Sequence, residues 1–324
     1  ILVYLSTMKR FSIIYLLVIT LFISCTEPSI ETSDVVSGPM IGHVSMRSVD
    51  VWVQVDKSSN LSLKVWSKDF EKESELVLAN SQCANSATLH VGGLEPGTSY
   101  KAVALSNGNA IGDTLSINTQ VLWDYRIDPP AFKLIAGSCA FINDSIYDRP
   151  GTPYGGEYEI FEKMASENPD MMLWLGDNIY LREVDVQSYS GYLYRYTHTR
   201  STPEMQNLLK TCPNYAIWDD HDYGPNDADR NWIHGDWARQ AFETFWANPS
   251  YGAPAGAENV GTAFRHNDVE FFMLDNRSNR VHHYNETQDL QVLGEDQIDW
   301  LIAAMNRSYA PFWFPKKLSS SKIL

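Results

Sequence analysis

The chain has 324 residues, a formal net charge of −15 and 44% hydrophobic residues. This length predicts a leader and two folded units. The apolar content, together with the lack of internal repeats and low-complexity tracts, excludes a disordered chain. The acidic balance argues against a nucleic-acid-binding protein, because such proteins neutralise phosphates with Lys and Arg side chains.

The N-terminal segment has the features of an export signal. A basic start at residues 8–10, Met-Lys-Arg, precedes the apolar run 11–23, which ends close to Cys25. The run is short for a membrane-spanning helix, which favours a signal peptide. Its FISC ending resembles a lipoprotein signal with lipidation at Cys25, and the alternative is an ordinary signal with an incidental cysteine. We therefore expect residues 1–25 to direct export, to the periplasm or to the outer membrane or cell surface as a lipoprotein.

The next part of the chain predicts a linker and an all-β domain. Residues 26–37 are polar and lack apolar periodicity, so we interpret them as a tether. Residues 38–122 alternate apolar and polar side chains in short runs rich in β-branched and aromatic residues: 49–55, 61–67, 86–92 and 99–105. The segment LEPGTSYKA (94–102) resembles a turn and strand of fibronectin-type domains, which favours an Ig/fibronectin-like sandwich.

Beyond the turn-forming residues 127–130, strands and helices alternate and predict an α/β domain over residues 131–324. One helix has a clear start, with Thr202 as its cap and Pro203 at its first position. The predicted elements are strands at 132–141, 171–177 and 214–220, a strand pair at 263–275, and helices at 158–168, from Pro203, at 238–246 and at 295–306.

Three of these strands end in chemically capable residues. Ser138 and Cys139 follow the first, GDNIY (176–180) the second, and DDHD (219–222) the third. Because ligands of α/β sheets bind at the carboxyl ends of strands, we expect these clusters to converge in one site. Cys139 is also the candidate unpaired thiol, since lipidation of Cys25 would leave an odd number of cysteines in an exported chain.

Each of these residues has a structural alternative. Asp177 is either a metal ligand on a rigid strand end or a helix cap. Tyr180 is either core packing or an anionic ligand, and Asp220 with His221 offers either a ligand beside a proton donor or a solvated acidic turn. Asn226 either makes a turn hydrogen bond or offers its amide oxygen to a hard cation.

Taken together, the motifs GSCAF, WLGDNIY, WDDHDYGPND and MLDNRSNR resemble the PhoD-like alkaline phosphatase and phosphodiesterase family of the calcineurin-like metallophosphoesterases, over residues 38 to about 310. The resemblance implies a four-layer α/β/β/α domain that binds Fe³⁺ and Ca²⁺. It assigns Cys139 and Tyr180 as iron ligands, Asp177 as the bridging ligand, Asp220 and Asn226 as ligands of the second cation, and His221 as the catalytic histidine. A thiolate suits a transition metal and carboxylate or amide oxygens suit calcium; a small buried hydrophobe is the alternative for Cys139.

The expected activity is hydrolysis of a phosphoric ester by a metal-activated water, with His221 protonating the leaving oxygen. Arg277 and Arg280 are candidates for binding phosphate oxygens, although an Asp275–Arg277 ion pair is the favoured alternative for Arg277. We expect a phosphate ester as substrate, no nucleic-acid partner, a membrane contact only through the lipid, and a monomer.

The resemblance fails at the C-terminus. Members of this family continue with a strand that carries an Asp-x-His cluster, whereas here the strand at 310–314 is followed by a polar tail. His282 and His283 are poor substitutes, because adjacent histidines point in different directions. The sequence therefore predicts a truncated domain that is poorly active. The alternatives are a surface lipoprotein with a degenerate, non-catalytic domain and a Ser-His-Asp hydrolase, which lacks its G-x-S-x-G elbow around Ser138.

Overall fold

The computed structural model describes residues 32–315. The predicted signal peptide, its Cys25 and the first part of the predicted linker lie outside the described residues, as does the polar tail from residue 316. Between residues 32 and 315, none of the helices combines the length and the apolar character that crossing a membrane requires.

The N-terminal region is built from two antiparallel sheets around one apolar core. Three strands pair in the order β1-β2-β6, and the other sheet has the order β4-β3-β7-β8 with β5 also on β3. Side chains such as Val51 of one sheet and Leu63 of the other are fully buried in the shared core. The strands are β1 (Val35–Val44), β2 (Ser48–Val55), β3 (Ser59–Ser67), β4 (Phe70–Glu73), β5 (Val77–Ala79), β6 (Ser86–Gly92), β7 (Ser99–Ser106) and β8 (Asn109–Asn118).

The four strands predicted in this region are present, but the predicted linker ends too late. Strand β1 begins at Val35, which pairs with Val55. Ser37 is buried, and its hydroxyl donates to the carbonyl oxygen of Arg200 at 2.7 Å. These hydrogen bonds come from a polar stretch without alternation, so the sequence pattern could not reveal the strand.

The second region contains two three-stranded sheets. The first has the order β11-β10-β9 with all strands parallel, and in the second β13 pairs antiparallel with β12 and parallel with β14. The strands are β9 (Leu134–Gly137), β10 (Met171–Leu175), β11 (Asn214–Ile217), β12 (Thr262–His266), β13 (Val269–Met273) and β14 (Phe312–Pro315). The helices are α1 (Glu159–Ser166), α2 (Tyr189–Arg200), α3 (Pro203–Thr211), α4 (Asp220–Tyr223), α5 (Gly235–Phe245) and α6 (Glu295–Arg307).

These elements follow the predicted order, but several differ from the prediction, and the short helix α4 was not predicted. Strand β9 covers only four of the ten residues predicted, and helix α2 was not predicted because its polar and aromatic side chains lack a clear apolar stripe. Thr202 does occupy the cap position of α3, with Pro203 next to it, but the Thr202 side chain makes no capping hydrogen bond.

Aromatic packing joins the sheets to each other and to the N-terminal region. Tyr215 of β11 stacks on Phe264 of β12 with ring centroids 3.8 Å apart. Across the boundary between the regions, the Trp52 indole N–H donates to the carbonyl oxygen of Thr244 at 2.8 Å. The core that includes Trp52 therefore runs into the α/β region, and the carboxyl ends of β9, β10 and β11 project from a rigid base.

Candidate metal centre

Because β9, β10 and β11 are parallel neighbours, their carboxyl ends lie along one edge of the sheet. Gly176, directly after β10, has φ +102°, and a Cβ added to it would lie 2.6 Å from the Cβ of Asp219. Glycine is needed here because the loops after β10 and β11 approach so closely. This contact brings Asp177 next to the DDHD turn, as the sequence predicted.

The backbone is strained at two of the predicted ligands. Cys139 has φ 61° and Asp177 has φ 52°, values in the left-handed region that cost about 1–3 kcal/mol each. Hydrogen bonds between the two loops hold both conformations. The Cys139 N–H donates to the Gly176 carbonyl at 3.1 Å, and the Ala140 N–H donates to the Asp177 carbonyl at 2.8 Å. Strain maintained in this way is typical of functional sites.

Asp177 lies at the centre of the donor groups. One potential ligand atom from each of Asp177, Asp220 and His221 lies within 4.8 Å of the others. The Cys139 thiol and the Tyr180 hydroxyl both donate to Oδ2 of Asp177, at 3.5 Å and 3.3 Å. The structure thus brings together five of the six residues proposed as ligands or catalytic histidine.

A capping box shapes the turn that carries Asp220 and His221. The Asp219 carboxylate accepts the Asp220 N–H at the start of α4, and the Asp222 carboxylate accepts the Asp219 N–H at 3.0 Å. Asp222 is fully buried and also accepts the Asn178 N–H at 3.1 Å. Burial, with the nearby Asp177 carboxylate, raises the pKa of Asp222 to about 8. The alternative of a solvated acidic turn is therefore wrong.

The charges in the cluster fit a cation. Burial, and after it the Asp220 carboxylate, raises the pKa of Asp177. Burial alone would raise the pKa of Asp220 as well, but the Arg277 guanidinium, the Asp227 N–H and His221 hold it below its ordinary value. Carboxylates crowded in this way gain stability from a positive ion between them. With a thiol and a phenol beside them, they form a donor set that suits a metal cofactor.

The sequence left two alternatives open for each of Tyr180 and Cys139, and the surroundings of these side chains bear on both. The Tyr180 ring stacks on His221 with centroids 4.3 Å apart while its hydroxyl reaches Asp177, so this residue both packs and faces the cluster. Burial, and then Asp177 and Cys139, raises the pKa of Tyr180. The Cys139 thiol is exposed, which rules out the alternative of a small buried hydrophobe.

Three other predicted residues lie outside the donor cluster. Asn226 is exposed, and its amide N–H donates to Asp227, whose own backbone N–H donates to Asp220 at 2.7 Å. This hydrogen bond from Asn226 is a turn contact, which was one of the two alternatives predicted for this residue. The rings of His282 and His283 stack on each other at 4.4 Å instead of diverging, and neither belongs to the cluster.

The Arg277 ion pair is not the one favoured from the sequence. Nε of Arg277 donates to Oδ1 of Asp219 at 2.7 Å, and a second guanidinium nitrogen lies 3.6 Å from Asp220. From Arg277, the Asp275 carboxylate accepts only the backbone N–H, at 2.8 Å, so an Asp275–Arg277 side-chain pair was wrong. Nε of Arg280 is buried and has no hydrogen-bond partner among residues 32–315.

Sequence reasoning missed the residues that support the cluster. Asp219 accepts Arg277 and also the amide N–H of Asn276, at 2.9 Å, and Asp222 fixes the turn. The D-x-x-D spacing of a capping box was the signal for Asp219 and Asp222. Asn276 carried no local signal, because its contact depends on the approach of two distant loops.

A model of the PhoD-like phosphatase family matches residues 136–314, more than half of the chain. The chain belongs to this family. A second model, for a domain of unknown function (DUF7800), matches residues 32–112 in the N-terminal region. The PhoD-like family implies metal cofactors, which agrees with the donor set around Asp177.

Solved structures share the fold of this PhoD-like chain. The structure of PhoD is similar at a TM-score of 0.68 and 18% identity, over 85% of this chain and 60% of that one. Purple acid phosphatase PPD1 from yellow lupin (Lupinus luteus) seeds is similar at a TM-score of 0.57 and 9% identity, over 86% of this chain and 50% of that one. This chain thus spans about half to three fifths of those structures. No curated protein matches it.

Proposed function

We propose that this PhoD-like protein is a metal-dependent hydrolase of phosphoric esters. The observation that carries the proposal is the convergence of Asp177, Asp220 and His221 within 4.8 Å of one another at the carboxyl ends of parallel strands. Family membership supports the reaction class. The contacts of Cys139 and Tyr180 with Asp177 support a centre for two ions rather than an isolated carboxylate pair.

The proposed roles combine the family resemblance with where each side chain lies. Asp177 would hold both ions, Cys139 and Tyr180 would hold the iron, and Asp220 would hold the calcium together with Asn226, which the resemblance alone assigns there. The ions, Fe³⁺ and Ca²⁺ in this proposal, supply positive charge to the phosphoryl group and lower the pKa of water. Arg277 neutralises Asp219 and Asp220, because its guanidinium is already bound there. Arg280 is the remaining candidate for a phosphate oxygen.

His221 is proposed to deliver the proton to the leaving oxygen. Its ring is held face to face with Tyr180, and its backbone N–H donates to Oδ1 of Asp177 at 3.3 Å. The imidazole is therefore fixed beside Asp177, where we propose that the phosphorus atom of the substrate lies. Histidine transfers protons near neutral pH, and general acid catalysis contributes about 10²–10⁴-fold.

The deciding experiment tests whether His221 is a metal ligand or the proton donor. The whole protein is assayed with phenyl and p-nitrophenyl phosphate, and with the matching methyl diesters, while iron and calcium are measured by mass spectrometry. We expect Asp177→Asn to lose metal and activity. His221→Ala should keep its metal and lose far more activity on phenyl than on p-nitrophenyl esters, because only the poor leaving group needs a proton. Metal loss in His221→Ala would make this residue a ligand, and a wild type without metal or hydrolysis would refute the proposal.

The proposal extends to location and architecture. The sequence of residues 8–25 supports an exported lipoprotein anchored through Cys25. Labelling with a fatty-acid analogue in wild type and Cys25→Ser tests this anchor. We propose that the protein is otherwise a monomer. The two sheets joined by Tyr215 and Phe264 support a four-layer α/β/β/α arrangement, and the hydrogen bond from the Glu95 N–H to the Tyr100 hydroxyl supports a fibronectin-like first domain.

A further inference from the structure

A cavity of about 400 Å³ opens next to the donor cluster. Tyr180 and His221 form its inner wall, and the Tyr180 hydroxyl lies 3.3 Å from Oδ2 of Asp177. The cavity is therefore adjacent to the cluster at which the phosphoryl group is proposed to bind. Since His221 lines the cavity and is the proposed proton donor, the group inside it is the leaving group.

Four of the residues that line the cavity carry aromatic rings: Phe141, Tyr154, Tyr180 and His221. The Phe141 ring lies 5.0 Å from Tyr180 and 5.3 Å from Tyr154, and the latter pair meets edge to face. Tyr154 is 82% exposed. A tyrosine ring gains stability when it covers an apolar surface, so this ring is available to pack against a bound group. These rings form a continuous surface from His221 outward, and flat aromatic groups stack well on such a surface.

The charges in the cavity are already balanced within the chain. Nε of Arg182 donates to Asp148 at 2.7 Å, and the guanidinium lies 4.3 Å from the centre of the Phe141 ring. Nε of Arg149 donates to Glu183 at 2.8 Å. Both arginines that line the cavity are thus paired with carboxylates, so a second phosphate or a carboxylate on the leaving group would meet no net positive charge.

We infer that this cavity is a binding site for an uncharged, planar aromatic leaving group, so that aryl and arylmethyl phosphate esters are the preferred substrates. The inference rests on the proposed function, which places phosphorus at Asp177. The cavity volume lies in the range of small-molecule sites and accommodates one small ring system.

The test compares benzyl phosphate with cyclohexylmethyl phosphate, which have leaving groups of similar size and differ in aromaticity. We expect wild type to favour the benzyl ester in kcat/KM. Tyr154→Leu and Phe141→Leu should each lower this preference about three- to tenfold. Tyr147→Leu is the control, because Tyr147 belongs to the same loop region and packs on Tyr194 outside the cavity.

Inhibition by phenylphosphonate and cyclohexylphosphonate gives a second readout that needs no turnover. Wild type should bind phenylphosphonate more tightly than cyclohexylphosphonate, and Tyr154→Leu should lose this difference. Because Tyr154 is exposed, the substitution does not put folding at risk. Hydrolysis of both esters with the same benzyl preference in wild type and all three variants would overturn the aromatic site while leaving the proposed function standing. A wild type that hydrolyses neither ester, binds neither phosphonate and is also inactive on the phenyl and p-nitrophenyl monoesters and diesters would remove both.

Discussion

Nε of Arg277 donates a 2.7 Å hydrogen bond to Oδ1 of Asp219, the residue that precedes Asp220. The same guanidinium lies 3.6 Å from Asp220 and donates to the Ala228 carbonyl at 3.3 Å. One buried cation therefore joins the strand end after β13 to the DDHD turn. Without a metal ion, Arg277 supplies positive charge beside Asp219 and Asp220, and it helps to hold the pKa of Asp220 below its ordinary value.

Replacing Arg277 with methionine should destabilise the metal-free protein by about 3–5 kcal/mol, because it leaves buried carboxylates without their partner. Urea unfolding in the presence of a chelator measures this change. Arg230→Met, at an exposed arginine nearby, is the matched control and should change stability by about 0.5 kcal/mol or less. Equal effects of the two substitutions would show that Arg277 contributes through its bulk rather than its charge.

The Cys139 thiol should be the fastest of the described cysteines to react with iodoacetamide in metal-free protein. It is exposed, whereas Cys83 is half-buried and Cys212 is buried. Burial also raises the pKa of Cys212 to about 12, so little of its reactive thiolate is present at neutral pH. Peptide mapping by mass spectrometry, on a Cys25→Ser background, gives the three rates.

Added iron should then protect Cys139 if it is a ligand. We expect the rate at this position to fall at least tenfold when the protein is loaded with iron, while the rate at Cys83 stays constant. The same loading of Asp177→Asn should protect Cys139 poorly, because the carboxylate that accepts its thiol proton is gone. An unprotected Cys139 in iron-loaded wild type would remove it from the ligand set.

The convergence of the strand ends was predictable because it depends on local signals. The apolar runs before Asp177 and Asp220 identify buried strands, and parallel neighbours end at the same edge. The left-handed backbone of Asp177 and the close approach of Gly176 to Asp219 agree with that picture. The family model over residues 136–314 matches the same motifs.

What the sequence could not predict depends on contacts between distant segments. Arg277 has an aspartate two residues before it, so Asp275 was the natural partner, yet the fold places Asp219 against the guanidinium. Helix α2 buries Arg195, which pairs with Asp185 at 2.8 Å, beside Tyr192 and Tyr196, so its buried face shows no apolar periodicity. Strand β1 forms because β2 is available to pair with it.

Stability should fall as the pH drops below about 6.5, and His43 is one cause. Burial, and then His90 and His266, lowers the pKa of His43 to about 4 from an ordinary value of 6.5. Between these values the unfolded chain binds a proton that the folded chain does not, so acid favours unfolding. From pH 7 to pH 5 this one group should cost about 1–2 kcal/mol. Urea unfolding at both pH values measures the loss.

The variant His43→Gln removes this titration, so it should lose less stability than wild type over the same pH interval. The neutral ring also has a hydrogen-bond partner, since the Tyr215 hydroxyl, which accepts the Val44 N–H at 3.4 Å, lies 3.1 Å from Nδ1 of His43. A neutral imidazole can accept the hydroxyl proton, and a protonated one cannot. Parallel losses in wild type and His43→Gln would assign the acid sensitivity to other groups.

At Gly42 the backbone of the N-terminal sheets packs tightly against the α/β region. A Cβ added to it would lie 2.3 Å from the Cβ of Ala247 and 2.7 Å from the Ala247 carbonyl oxygen. The His43 N–H also donates to that carbonyl at 3.0 Å, so the two backbones cannot separate without breaking the hydrogen bond. Gly42→Ala should therefore destabilise the protein by about 1–3 kcal/mol through overpacking.

The matched control is Gly156→Ala, because a Cβ at Gly156 meets no atom within 4 Å. This variant should be neutral or gain up to about 1 kcal/mol, since alanine restricts the unfolded chain. Thermal unfolding of both variants, followed by tryptophan fluorescence, separates the outcomes. Trp52 and Trp246 lie on the two sides of this boundary, so a Gly42→Ala variant that forces the regions apart should also show altered native fluorescence. A Gly42→Ala variant as stable as Gly156→Ala would mean that the two regions adjust to the added methyl group and are not rigidly packed.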